Sequence, residues 1–154
     1  MLASRALSRP AVLVGALFIV FAPGSPLPGQ TLPQGLPGRY TLVDIEGHAL
    51  PYAPTEPGRP ANAPSLEVLA STLILRSDGQ FVMAMAYRVR QGGTEHFLAN
   101  PFTGTIVPNT NGYVMRWEGA GETSATWEAE RFTFTNEGQT FTYRRQSPPR
   151  AGGN

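Results

Sequence analysis

Polar and apolar side chains alternate along nearly every segment of the chain from Gly38 onward. A period of two places successive side chains on opposite faces of a β-strand, so the pattern predicts half-buried strands rather than helices. The 17 glycines and 15 prolines among 154 residues supply turns between the segments and disfavour long helices. We therefore predict an all-β folded unit.

The alternating segments divide into eight or nine predicted strands joined by short turns. Asp78-Gly79 between two apolar runs is a strong hairpin signal, whereas Asn100-Pro101 is predicted to end a strand. Residues 48–64 are rich in proline and are predicted to form a long irregular crossing. The predicted strands are 39–46, 66–76, 80–90, 94–98, 104–107, 113–118, 123–129, 131–135 and 139–145. Short links between neighbours favour an antiparallel meander that closes into a barrel and so removes its exposed edges, with a β-sandwich as the alternative.

The N-terminus has the pattern of a secretory signal peptide over residues 1–24. Arg5 and Arg9 precede an apolar run at 11–22, which a Pro- and Gly-rich stretch then ends. The run suits a signal sequence and is shorter than the roughly 20 residues that a membrane-spanning helix needs. Cleavage is expected after Gly24, or less favourably after Gly29, and an uncleaved membrane anchor is the alternative. The mature protein is thus predicted to be secreted or periplasmic and free of the membrane.

The remainder divides into a linker, one folded domain and a tail. Residues 25–37 are predicted to be a Pro/Gly-rich linker, 38–145 the β-barrel domain and 146–154 a disordered tail. The formal charge is +1, and loss of the two arginines of the signal peptide makes it slightly negative. All basic residues are arginines scattered along the chain, so no nucleic-acid partner is expected. With no cysteine, the domain must be held together by its core alone.

Several short motifs resemble those of small lipocalin-like exported bacterial proteins of unknown function. They are Gly38-x-Tyr40, Asp44-x-x-Gly47, Leu50-Pro51 and Asp78-Gly79 between two strands. The resemblance covers most of the predicted domain and implies a closed barrel. It also implies that an arginine of the last strand, Arg144 or Arg145, packs across the Tyr40 ring and closes the barrel floor.

No group of residues carries a recognisable catalytic or metal-binding pattern. The two histidines, His48 and His96, are far apart and lack ligand spacing. No Gly-x-Ser-x-Gly motif is present, and solvated strand ends account for the acidic pairs Asp44/Glu46 and Glu128/Glu130. We therefore expect a non-catalytic protein with no catalytic residue, no metal and no cofactor.

Aromatic and methionine side chains on one face of the strands are the best candidates for a functional surface. They either line a lumen that binds a small hydrophobic molecule or fill the core of a structural or protein-interaction module. An enzyme of unknown type is the remaining alternative, and neither the ligand nor the oligomeric state follows from the sequence. The candidates are Phe81, Met83, Met85, Tyr87, Tyr113, Met115, Trp117, Phe132, Phe134, Phe141 and Tyr143.

Overall fold

A computed structural model describes residues 31–54, 60 and 63–147. The predicted signal peptide, the first part of the predicted linker and the end of the predicted tail lie outside the described residues. The strands are β1 Gly38–Ile45, β2 His48–Ala49, β3 Ser65–Leu75, β4 Gln80–Gln91, β5 Thr94–Asn109, β6 Gly112–Trp117, β7 Gly121–Glu128, β8 Arg131–Asn136 and β9 Gln139–Arg145. None of these described residues belongs to a helix long and apolar enough to cross a membrane.

The strands form one antiparallel sheet that closes into a barrel. Each strand from β3 to β9 pairs with its neighbour in sequence, β1 pairs with β3, and β9 returns to pair with β1. The eight long strands make the barrel, and the two-residue β2 is an additional pairing on β1. The predicted meander and its closure into a barrel, rather than a sandwich, are confirmed.

One prediction of strand boundaries was wrong, because residues 94–98 and 104–107 belong to a single strand, β5. Pro101 lies inside it, opposite Ala84 of β4. Neighbouring residues of a strand direct their backbone groups to opposite sides. Thr103 accepts from Glu118 N (2.9 Å) on the β6 side, so Pro101 also faces that side. Since β6 pairs only with residues 104–109, the missing N–H of Pro101 lies at an open edge and breaks no ladder.

The two ends of the barrel differ, and we call them the floor and the mouth. The floor carries the turns at 76–79, 110–111 and 129–130, and the mouth carries those at 46–47, 118–120 and 137–138. At the floor β1 pairs with β3 directly, through residues 38–41. Towards the mouth Tyr52 of the crossing takes the place of β1, with backbone bonds of 2.9 and 2.7 Å to Val68. Tyr52 therefore forms part of the wall at the mouth.

The packed unit begins before Gly38. Leu32 and Leu36 are buried in the core although they fall within the predicted linker. A Cβ at Gly35, whose φ is +103°, would lie 3.3 Å from the Trp127 ring, so the chain needs glycine to pass this close. The four-residue spacing of the two leucines was hidden in the sequence by the surrounding Pro and Gly. This segment covers the floor of the barrel.

Candidate functional site

The floor half of the interior is filled with side chains. Tyr40, Ile106, Met115, Phe132 and Tyr143 are fully buried there. All come from positions that the register directs inward, one residue in two along their strands. This half is therefore a packed core.

Arg145 holds the segment that covers the floor. It lies opposite Tyr40 across β1 and β9, and its guanidinium donates to Gly35 O and, at 2.7 Å, to Pro37 O. Tyr40 donates its hydroxyl to Leu36 O at 2.7 Å. Burial raises the pKa of the Tyr40 phenol and the charge of Arg145 opposes this, so the phenol stays neutral and able to donate. Arg144, the other candidate, is exposed on the outer face.

Tyr143 marks the upper limit of the filled half. Its hydroxyl lies 2.8 Å from Ser71 Oγ and 3.1 Å from Met83 Sδ, and Ser71 donates to Ala84 O at 3.0 Å. Burial raises the pKa of Tyr143 above its ordinary value, so this phenol is also neutral. The bonds connect β9 to β3, the two strands that flank β1.

Above this layer the barrel opens into an apolar cavity of about 310 Å³ at the mouth. This volume is at the lower end of the range for small-molecule sites, about 300–1,000 Å³. Its walls come from β3, β4, β5, β6, β8 and β9 together with Pro54 of the crossing. The lining apolar side chains are Pro54, Leu66, Val68, Met83, Met85, Tyr87, Phe102, Trp117, Ala120, Phe134 and Phe141.

Trp117 organises the aromatic wall of the cavity. Its ring makes edge contacts with Phe81, Phe102 and Phe134 at centroid distances of 5.0, 6.3 and 5.6 Å. Its indole N–H donates to Thr123 Oγ1 at 2.7 Å. Because the protein already satisfies this polar group, Trp117 offers the cavity an apolar ring.

Apart from the Tyr87 hydroxyl, the polar side chains that line the cavity lie on one side of the mouth. Asn136, Glu137 and Gln139, from the β8–β9 turn, complete the cavity lining. Gln139 also reaches the Tyr52 hydroxyl, with Nε2 at 3.5 Å. The arrangement is apolar inside with a polar edge, which fits an apolar molecule carrying a polar end.

The eleven candidate residues all lie on the inner side of the sheet but in different surroundings. Six of them line the cavity: Met83, Met85, Tyr87, Trp117, Phe134 and Phe141. Phe81, Met115, Phe132 and Tyr143 are enclosed in the filled core, and Tyr113 packs against it near the floor. A ligand-binding role for the six stays a prediction.

Sequence reasoning missed several lining residues for identifiable reasons. Phe102 follows Pro101 and falls between the predicted strands 94–98 and 104–107. Leu66 and Val68 face inward because a bulge between Val68 and Ala70 shifts the inward-facing set of β3 by one residue. No sequence signal marks the rim residues of the β8–β9 turn as lining a cavity.

A larger depression, about 410 Å³, lies on the outer face around Gly104. It is shallow and is lined by polar residues such as Thr103, Thr105 and Arg116. A Cβ at Gly104 would come within 2.1 Å of Arg116 O and 2.7 Å of the Phe81 ring, so glycine is required by the packing beneath it. The depression therefore follows from core packing.

The histidines and acidic residues considered for catalysis or metal binding lie apart from one another or form hydrogen bonds within turns. Glu46 accepts from Thr140 N, and Asp44 accepts from Gly47 N at 3.1 Å. His48 stacks on Tyr52, with centroids 6.0 Å apart, while His96 lies on β5 opposite Val89. Within 31–54, 60 and 63–147, no three His, Asp or Glu side chains are grouped to hold a metal ion.

Comparisons with protein-family models, with curated proteins and with solved structures found no match.

Proposed function

We propose that this chain is a non-catalytic, lipocalin-like exported protein that binds a small hydrophobic molecule in the mouth of its barrel. The observation that supports this proposal is the apolar cavity above the Tyr143 layer. A barrel that served only as a scaffold would gain stability by filling this space, because each well-packed buried methylene contributes about 0.8 kcal/mol.

The lining suggests which molecules fit best. Methionine is flexible and polarisable, and two methionines beside five aromatic side chains adapt to flat or cyclic hydrocarbon groups. The volume suits one or two fused rings, and the polar side of the mouth accommodates a hydroxyl, amine or amide. Export is proposed from the N-terminal sequence, which places the ligand outside the cytoplasm.

The proposal is tested by native mass spectrometry of the protein purified from its own cells, followed by titration with N-phenyl-1-naphthylamine, a neutral fluorescent hydrophobe. We expect a co-purifying small molecule or, if the cavity is empty, saturable uptake of one probe per chain. In a Trp127→Phe variant, which keeps only the mouth tryptophan, energy transfer from Trp117 to the probe should remain. A clean unliganded mass together with no saturable uptake would reject the proposal.

A further inference from the structure

The β4–β5 hairpin lies at the mouth end of the barrel, and one side of β5 is open there. β4 pairs with residues 94–105 of β5, whereas β6 pairs only with residues 104–109. Residues 94–102 therefore have a partner on one side alone among the described residues. Such an edge presents unpaired backbone groups that can pair with another strand.

The direction of these backbone groups follows from the flanking bonds. Ile106 N donates to Gly79 O (2.7 Å) on the β4 side, and Thr103 accepts on the opposite side. By alternation, the N–H and C=O of Glu95, Phe97 and Ala99 point outward from the open edge. In the middle of the edge, each of these three residues therefore offers both a donor and an acceptor to a further strand.

The most exposed large apolar side chains of the described residues lie on the same segment. Phe97 is 66% exposed on the outer face, and Leu98 is 49% exposed on the inner face. Natural edges are usually protected by charge or proline. Here Glu95 and Pro101 protect the two ends, and the centre carries none of these features.

We infer that the open edge of β5 pairs antiparallel with the same edge of a second copy of this chain, with Phe97 opposite Phe97 across a twofold axis. Closed twofold pairing is the commonest form of homo-oligomer, and it requires a self-complementary surface.

The edge is self-complementary in this register and not in its neighbours. Glu95 then lies opposite Ala99, and every outward donor between them is used. A shift towards the barrel brings Pro101, which lacks an N–H, opposite Phe97 or Glu95. A shift of the pairing towards the hairpin tip requires the turn residue Gly93 to pair, or places Glu95 directly opposite Glu95 of the second copy, where the like charges repel. The two Phe97 rings also bury each other only in the central register.

The interface involves a few residues of each copy, and the area that it buries is therefore small compared with the roughly 1,600 Å² of a standard interface. We therefore expect a reversible dimer that forms with rising concentration. Its sheet would run continuously from one barrel to the other.

The test is sedimentation velocity of the purified protein over a wide concentration series. The average mass should rise towards twice that of the monomer for the wild type and for the matched control Ala99→Val. Ala99→Pro removes an outward N–H without touching a bond to β4, as Pro101 shows, and should remain monomeric. A wild type that stays monomeric throughout, or an Ala99→Pro variant that dimerises equally well, would overturn the inference.

A second test does not depend on the proline variant folding. The chain has no cysteine, so Phe97→Cys carries a single thiol at the proposed axis. Opposed Cα atoms in a hydrogen-bonded pair are about 5.5 Å apart, within disulfide range. Mild oxidation should give a covalent dimer for Phe97→Cys and not for Val82→Cys, an exposed outer-face control. Equal crosslinking of both, or of neither, contradicts the pairing.

Discussion

The hydroxyl of Tyr143 lies 2.8 Å from Ser71 Oγ, and this contact separates the filled half of the barrel from the open half. Below it the interior is packed, and above it Met83 and Met85 face a cavity. The contact also connects β9 to β3, which are not neighbours in the sheet. It is thus a structural bond that lies against Met83, one of the residues that line the proposed binding site.

Removing Ser71 should cost more stability than removing the Tyr143 hydroxyl. Ser71→Ala leaves a buried phenol beside only a thioether sulfur, which costs about 1–3 kcal/mol. Tyr143→Phe leaves Ser71 still bonded to Ala84 O and should cost about 1 kcal/mol. Urea denaturation of both variants measures the difference, and a larger loss for Tyr143→Phe would contradict this account.

Arg145 should stabilise the floor, whereas Arg144 should not. Arg145→Ala removes charged hydrogen bonds to Gly35 O and Pro37 O and should cost about 1.5–3 kcal/mol. Arg144→Ala changes an exposed side chain and should stay within about 0.5 kcal/mol of the wild type. Thermal unfolding measures both. Limited proteolysis should cleave the segment 31–37 in the Arg145 variant alone, and equal protection in both variants would argue against the proposed role.

Stability should fall at alkaline pH through the buried phenols. Burial raises the pKa of Tyr143 and of Tyr40 above the ordinary value of 10.0. The unfolded chain therefore ionises first, so stability is full below about pH 10 and declines as the pH rises above it. Tyr143→Phe should flatten that decline, which urea midpoints on either side of pH 10 would reveal. An unchanged pH dependence in this variant would show that Tyr143 is not responsible.

Filling the cavity should abolish binding without harming the floor. Met85→Trp places a larger ring in the mouth, and we expect at least tenfold weaker uptake of N-phenyl-1-naphthylamine, about 1.4 kcal/mol. Met115→Leu changes a buried residue outside the cavity and is the matched control, with uptake near that of the wild type. Equal uptake by both variants would locate the probe elsewhere.

The sequence predicted the barrel and six of the fourteen residues that line the cavity, for physical reasons that also explain why the others were missed. Strict alternation along β4 places Met83 and Met85 inward without any knowledge of the fold. The continuation of β5 past Pro101 depends on where its pairing with β6 ends, and this is a property of the tertiary structure. The burial of Leu32 and Leu36 likewise depends on tertiary contacts, because Arg145 holds their segment over the floor through Gly35 O and Pro37 O. The division between filled and open halves depends on side-chain packing that no local pattern encodes.

The most direct test of the binding site is methyl NMR of the methionines during ligand titration. Met83 and Met85 line the cavity, Met115 lies in the filled core and Met1 belongs to the predicted signal peptide. The account predicts saturable shifts of the Met83 and Met85 methyl signals with N-phenyl-1-naphthylamine and an unmoved Met115 signal. No saturable shift, or shifts at Met115 with Met83 and Met85 unchanged, would contradict it.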